Sequence, residues 1–139
     1  MAAAVFASVR SGDHVVCVAR PYSWTRGLLR DLLPRFGVTT TFVDGTDTGN
    51  FERELKGNTR LIVLESPNSM TYEQQDLAAV SAIARTRDIR TVCDNSYATP
   101  LNQSPLAHGV EGGRERPKAR LIAQQLGQAP AEGAVATED

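Results

Sequence analysis

A chain of 139 residues, 41% hydrophobic and 22% charged, has the length and apolar content for one compact domain with a core. Its formal net charge of −1 offers no electrostatic footprint for nucleic acid or a membrane surface. Cys17 and Cys93 are too few for a disulfide framework, His14 and His108 stand apart from any zinc-like spacing, and no apolar run is long enough to cross a bilayer.

In chain order, residues 2–9 have helix-forming composition and stop at "SGD" (11–13). "MAAAVFASV" is only a weak imitation of a signal peptide. It lacks a basic leading region and is broken by "RSGDH", so the expectation is no export and a cytoplasmic protein. Residues 15–19 form a short β-branched run that predicts a buried strand. Residues 22–36 carry Leu28, Leu29, Leu32, Leu33 and Phe36, a helical stripe, with Gly37 placed as the C-cap. Residues 39–43 predict the next strand, "DGTDTG" a turn, 51–55 a short helix and 60–64 a third strand. Asp76 stands at an N-cap position before an amphipathic helix carrying Leu77, Val80, Ile83 and Ala84. Residues 91–93 predict a fourth strand. Both cysteines sit in apolar runs and read as small buried hydrophobes, which suits a reducing compartment.

This alternation predicts an α/β fold, a mostly parallel sheet with flanking helices. Runs such as "LIVL" are apolar on both faces, as strands covered on both sides are. Ligands in such sheets gather beyond the carboxyl ends of the strands. Three polar exits lie there: "RPYSWT", "ESPNSMTYE" and "DNSYATP". Each has two readings. Asp94 is either a strand-end acid closing a turn or a carboxylate presented to a ligand, for example to a pyridine nitrogen that must stay protonated. Tyr22 is either a core aromatic at a helix entry or a flat ring stacked on a ligand. Glu65 is either a solvated turn acid or a buried acceptor, and Ser96 and Thr99 read most simply as turn residues. Neither GxGxxG nor GxxxxGK[ST] occurs, so a phosphate would need a helix N-terminus without those loops.

Taken together, the stretches "MAAAVFASVRSGDHVVCVARPYSWTRGLLRDLLPRFGVTTTFVDGTD", "NTRLIVLESPNSMTYEQQDLAAVSAIA" and "TVCDNSYATPLNQSPLAHGV" resemble the pyridoxal-phosphate enzymes of cysteine and methionine metabolism. That family includes cystathionine γ-synthase, cystathionine β- and γ-lyase and methionine γ-lyase. The resemblance implies that residues 1–110 are part of an aspartate-aminotransferase-like large domain that binds pyridoxal 5'-phosphate. By position, Asp94 matches the acid paired with the pyridine nitrogen. Tyr22 matches the tyrosine stacked on one ring face, and Ser96 falls where the family often has threonine against the other. Met1 matches the methionine of a turn whose backbone N–H groups hold the phosphate. Glu65 matches the acid of the "ETPSNP" element. Within "ESPNSM", Ser69 stands where the family usually has an asparagine near the substrate carboxylate. "YSWT" replaces the commoner "YGGT", and "ESPNSMTYEQQDL" is most similar to β-lyase-like members.

The resemblance stops after "PLAHGV". The family's Schiff-base lysine follows on a further strand, and the lysines present, Lys56 and Lys118, do not lie in that motif. No catalytic residue is therefore assigned, and no metal. The expectation is a fragment of a homo-oligomeric carbon–sulfur lyase or synthase for sulfur amino acids, inactive on its own. A non-enzymatic α/β binding module and a translated pseudogene are the alternatives. Residues 111–139 lack aromatic residues and are rich in Gly, Ala, Pro and charge, so they predict a disordered tail. The abrupt change of pattern after Val110 is what a shifted reading frame would leave.

Overall fold

The structure, a computed structural model, describes residues 1–110; the expectations for residues 111–139 and Lys118 lie outside the described residues. The elements run α1 (Ala2–Phe6), β1 (His14–Val18), α2 (Ser23–Gly27), β2 (Thr39–Val43), α3 (Thr48–Arg53), β3 (Thr59–Glu65), α4 (Leu77–Thr86), β4 (Arg90–Asp94) and a short α5 (Thr99–Asn102). All neighbouring strands pair in parallel, in the order β2-β1-β3-β4. The chain leaves β1 toward β2 and then returns to the opposite side of β1 as β3. The order therefore reverses between β1 and β3, and the carboxyl end of the sheet at such a switch point is where open α/β sheets take their ligands.

The strands are covered as their composition demands. Every residue of β1 is buried, as are all of β3 except Arg60. Leu61, Ile62, Val63 and Leu64 join Val15, Val16, Leu29, Leu33 and Phe51 in one core. Edge strand β2 is more open and carries three threonines, which suit a half-wet surface. Asp76 caps α4 as expected, its carboxylate accepting the Ala79 N–H at 2.9 Å. Leu77, Val80 and Ala84 are buried against the sheet, whereas Ile83 is only half-buried.

β1 runs His14–Val18 rather than over 15–19, and three helical elements depart from expectation. α1 ends at Phe6 rather than at residue 9, and Ser8 turns back to donate its hydroxyl to the Ala4 carbonyl at 2.8 Å. The helix expected over 22–36 is not continuous. After Gly27 it widens into a π-turn (Leu28–Leu32) and tightens into a 3-10 turn (Leu33–Phe36). Pro34 explains the break, because it brings no N–H to an α-helical ladder and its ring clashes with the preceding turn. Of the leucine stripe, Leu29 and Leu33 are buried, and exposed Phe36 meets Phe6 edge-on at 6.0 Å. Gly37 closes this segment at φ 74° as expected. α3 spans Thr48–Arg53 instead of 51–55, because Asp47 supplies an N-cap, accepting the Gly49 N–H at 2.8 Å.

Cys17 and Cys93 are free and buried, in line with their apolar surroundings. Burial pushes the Cys17 thiol well up and the Cys93 thiol up to about 12. Thiolate is the reactive form. At pH 8 without denaturant, a thiol reagent is therefore expected to label neither cysteine, and to label both in denaturant. Rapid native labelling would show that the strands carrying them open.

Candidate functional site

β3 and β4 each run one residue further than composition suggested, so Glu65 and Asp94 are the last residues of adjacent strands. They pair in register, which places both residues at the carboxyl end of the sheet, next to the switch point. Their environments differ. Asp94 is half-buried; its Oδ1 accepts the Ser96 N–H at 3.0 Å and the Ser96 hydroxyl at 2.5 Å. This turn is the structural role weighed for an acid at a strand exit. It engages one oxygen only: among the described residues Oδ2 has no hydrogen-bond partner.

Glu65 is buried, with Oε2 accepting the Tyr22 N–H at 2.7 Å and Oε1 accepting the Ser69 N–H at 2.6 Å. It is a buried acceptor and not a solvated turn acid. Tyr22 is the N-cap residue of α2 and leaves its ring 47% exposed. That exposure sets aside the core-packing reading of Tyr22. In the β3 exit the two neighbours Asn68 and Ser69 behave differently. The Asn68 amide is fully committed, accepting the Met70 and Thr71 N–H groups at 3.0 and 3.2 Å and donating to the Arg20 carbonyl at 3.2 Å. The Ser69 hydroxyl oxygen is buried and has no hydrogen-bond partner among the described residues.

Several supporting amides were not singled out from the sequence. Gln75 accepts the Glu65 N–H through Oε1 at 3.3 Å. Gln103 donates to the Ser66 carbonyl at 2.7 Å and to Asn95 Oδ1 at 2.9 Å, and Asn95 donates back to the Gln103 carbonyl at 2.7 Å. Tyr72 and Tyr97 meet edge-on at 5.5 Å, joining the exits of β3 and β4. Each exit also holds one non-glycine residue in the left-handed region: Arg20 at φ 54°, Tyr72 at φ 59° and Thr99 at φ 59°. Such residues cost roughly 1–3 kcal/mol each and concentrate where loops are held in one functional shape.

Met1 is half-buried at the start of α1, its carbonyl accepting the Val5 N–H at 3.2 Å. At the other end of this helix, Arg90 donates to the Ala7 carbonyl at 3.0 Å. Arg90 opens β4, so α1 runs against the strands and its N-terminus faces the carboxyl end of the sheet. Lys56 lies at the opposite end, three residues before Thr59, whose hydroxyl accepts its N–H at 2.8 Å. The length of β3, roughly 20 Å at about 3.3 Å per residue, separates it from Asp94. Among the described residues no group of His, Cys, Asp and Glu is arranged to hold a metal ion, and no helix is long and apolar enough to cross a membrane.

The sheet thus brings Tyr22, Glu65, Ser69, Asp94 and Ser96 to one end, and leaves Lys56 at the other. The same fold occurs in solved enzymes. A crystal structure of cystathionine gamma-lyase from Lactobacillus plantarum complexed with L-serine superposes with a TM-score of 0.75 and 34% identity, over 78% of this chain and 29% of that chain. A Campylobacter jejuni structure assigned as an O-acetylhomoserine (thiol)-lyase, which holds N'-pyridoxyl-lysine-5'-monophosphate, has a TM-score of 0.73 and 31% identity over 77% and 26%. In sequence, a Saccharomyces cerevisiae protein assigned as a cystathionine beta-lyase is 40% identical over 108 residues, 78% of this chain and 32% of the relative. The chain spans a third or less of the length of these relatives. The profile of the Cys/Met metabolism PLP-dependent enzyme family matches residues 1–111, and with that match the chain belongs to this pyridoxal-phosphate-dependent family of lyases and synthases.

Proposed function

We propose that residues 1–110 carry the ring-binding part of a pyridoxal 5'-phosphate site, from a carbon–sulfur lyase or synthase that acts on sulfur amino acids. The observation that carries this reading is Asp94, whose Oδ1 is tied by Ser96 while Oδ2, at the end of β4, has no hydrogen-bond partner among the described residues. A carboxylate anchored on one oxygen is oriented before any ligand arrives, and the other oxygen is available to accept a pyridinium N–H. The donor set fits the cofactor further. Tyr22 offers a half-exposed ring for stacking. The N-terminus of α1, with Met1, faces the same end and suits a phosphate through its free N–H groups. Ser96 spends its hydroxyl on Asp94, so what it can present to a ring face is its methylene. The Ser69 hydroxyl, buried and without a partner among the described residues, suits a substrate carboxylate.

Bound there, the cofactor supplies an electron-accepting ring that stabilises negative charge on the substrate α-carbon. The residues of this chain hold a proton on the ring nitrogen through Asp94, fix the ring plane through Tyr22 and orient the amino acid through Ser69. The nucleophile and base that the family takes from lysine has no counterpart at this end of the sheet among the described residues, which supports a chain that binds without turning over. The choice between β- and γ-chemistry belongs to residues outside this set, and so does the assembly of subunits, which we take to be homo-oligomeric as in the parent family.

Pyridoxamine 5'-phosphate tests the reading directly, because it carries an amine in place of the aldehyde and cannot condense with surface lysines. Saturable one-to-one binding is expected by fluorescence titration. Asp94→Ala should weaken it about tenfold to a hundredfold, the worth of one charge-assisted hydrogen bond. Equal affinity in the variant refutes the assignment of Asp94. Pyridoxal phosphate itself should give no stoichiometric visible band. A one-to-one band abolished by Lys56→Ala or Lys118→Ala would overturn the inactive reading.

A further inference from the structure

Glu65 accepts two backbone N–H groups, one on each oxygen, and the two donors belong to different loops: Tyr22 in the exit of β1 and Ser69 in the exit of β3. The carboxylate is 3% exposed and makes no salt bridge among the described residues. Burying an unpaired charge costs several kcal/mol, so a carboxylate persists here only because something requires its chemistry. Volume alone does not require it. Glutamine fills the same space, but its amide has one accepting oxygen and one NH₂ that would face a second N–H donor. Only a carboxylate can accept from both loops at once. The bridge also sits at the switch point of the sheet, just beyond the last pair of the β1–β3 ladder, Cys17 with Val63.

We infer that Glu65 is the positioning residue of this site, a latch that fixes the Tyr22 ring and the Ser69 hydroxyl relative to each other and to Asp94. Through Oε2 it sets the residue from which the Tyr22 ring leaves the N-cap of α2. Through Oε1 it holds the turn that carries the Ser69 hydroxyl. Through the register of β3 with β4 it sits beside Asp94. The ring face, the substrate-facing hydroxyl and the ring-nitrogen acid therefore share one anchor. The latch stands on geometry alone, whereas its consequence for binding rests on the cofactor reading above.

The experiment separates the two. In the wild-type chain, NMR hydrogen exchange is expected to show the Tyr22 and Ser69 amides protected, while the amide of exposed Trp24, which does not donate to Glu65, serves as the reference. Glu65→Gln should speed exchange at Tyr22 or Ser69 about tenfold or more, with Val16 and Val63 in the strand centres unchanged, and should weaken pyridoxamine 5'-phosphate binding about tenfold. Unchanged exchange at both amides in Glu65→Gln overturns the latch. Faster exchange with unchanged affinity overturns the positioning role. Absence of pyridoxamine 5'-phosphate binding to the wild type refutes the cofactor reading and leaves the exchange data to decide the latch. Should Glu65→Gln fail to fold, the wild-type amides decide: exchange at Tyr22 and Ser69 as fast as at Trp24 is the overturning result.

Discussion

Phe51→Ala is expected to destabilise the fold by about 3–5 kcal/mol, a large share of the roughly 5–15 kcal/mol that holds a domain of this kind together. Phe51 is fully buried and heads the largest buried side chains of the described residues. It is the buried residue of α3, a helix of six residues that is too short to persist by itself. The exposed capping contacts of α3, Gly49 N–H to Asp47 and the Arg53–Asp47 pair at 3.2 Å, define its ends but contribute little binding to the core. Removing the ring therefore takes away the anchor that docks α3 and leaves a cavity that short flanking loops cannot fill. Phe51→Leu keeps most of the volume and should cost less than half as much. Urea unfolding followed by circular dichroism measures both. A loss below about 1 kcal/mol for Phe51→Ala would mean that α3 does not need the core.

Periodicity made the strands and α4 legible, because a sheet covered on both faces needs apolar runs and a helix against it needs a stripe. It was blind by one residue at strand ends, and those ends carry the site: Glu65 and Asp94 are strand residues held in register, not loop acids. The break in the helix over 22–36 is written in Pro34, which a reading of the leucine stripe alone passes over. The roles suggested for Asp94, Tyr22, Ser96, Met1 and Ser69 came from resemblance, since composition and spacing left each of them open. Gln75, Asn95 and Gln103 gave no local signal at all. Gln75 bonds within the β3 exit and Asn95 within the β4 exit, while Gln103 reaches from the β4 exit to the Ser66 carbonyl, a contact that acquires meaning only once the order β2-β1-β3-β4 is known. The same holds for Glu65, whose two donors lie 43 residues and 4 residues away along the chain.

His14 tests the opposite end of the sheet. It opens β1, is fully buried, and was set aside in the sequence for lack of metal-like spacing. Its Nδ1 lies 2.8 Å from the Thr59 hydroxyl on β3 and its Nε2 2.9 Å from the Thr41 hydroxyl on β2, so one imidazole ties three strands. A neutral ring has one donor and one acceptor nitrogen, and a threonine hydroxyl can serve either, so the neutral form is satisfied in both tautomers. The cation is disfavoured: burial, and then the nearby Lys56 charge, lower the pKa from its ordinary 6.5, with Glu54 opposing. An unfolded chain takes up this proton near pH 6.5, whereas the folded chain resists it to lower pH. The stabilisation is therefore complete above pH 6.5 and is lost as pH falls, with a slope no steeper than that of one proton, about 1.4 kcal/mol per pH unit. His14→Gln removes the titration, so its urea midpoint should fall less than that of the wild type between pH 7 and pH 5. His14→Ala should cost about 3 kcal/mol at pH 7, because it leaves a cavity and takes one hydrogen bond from each of two threonine hydroxyls. Parallel pH profiles for the wild type and His14→Gln would show that the ring titrates alike in both states, and that its burial does not hold the neutral form.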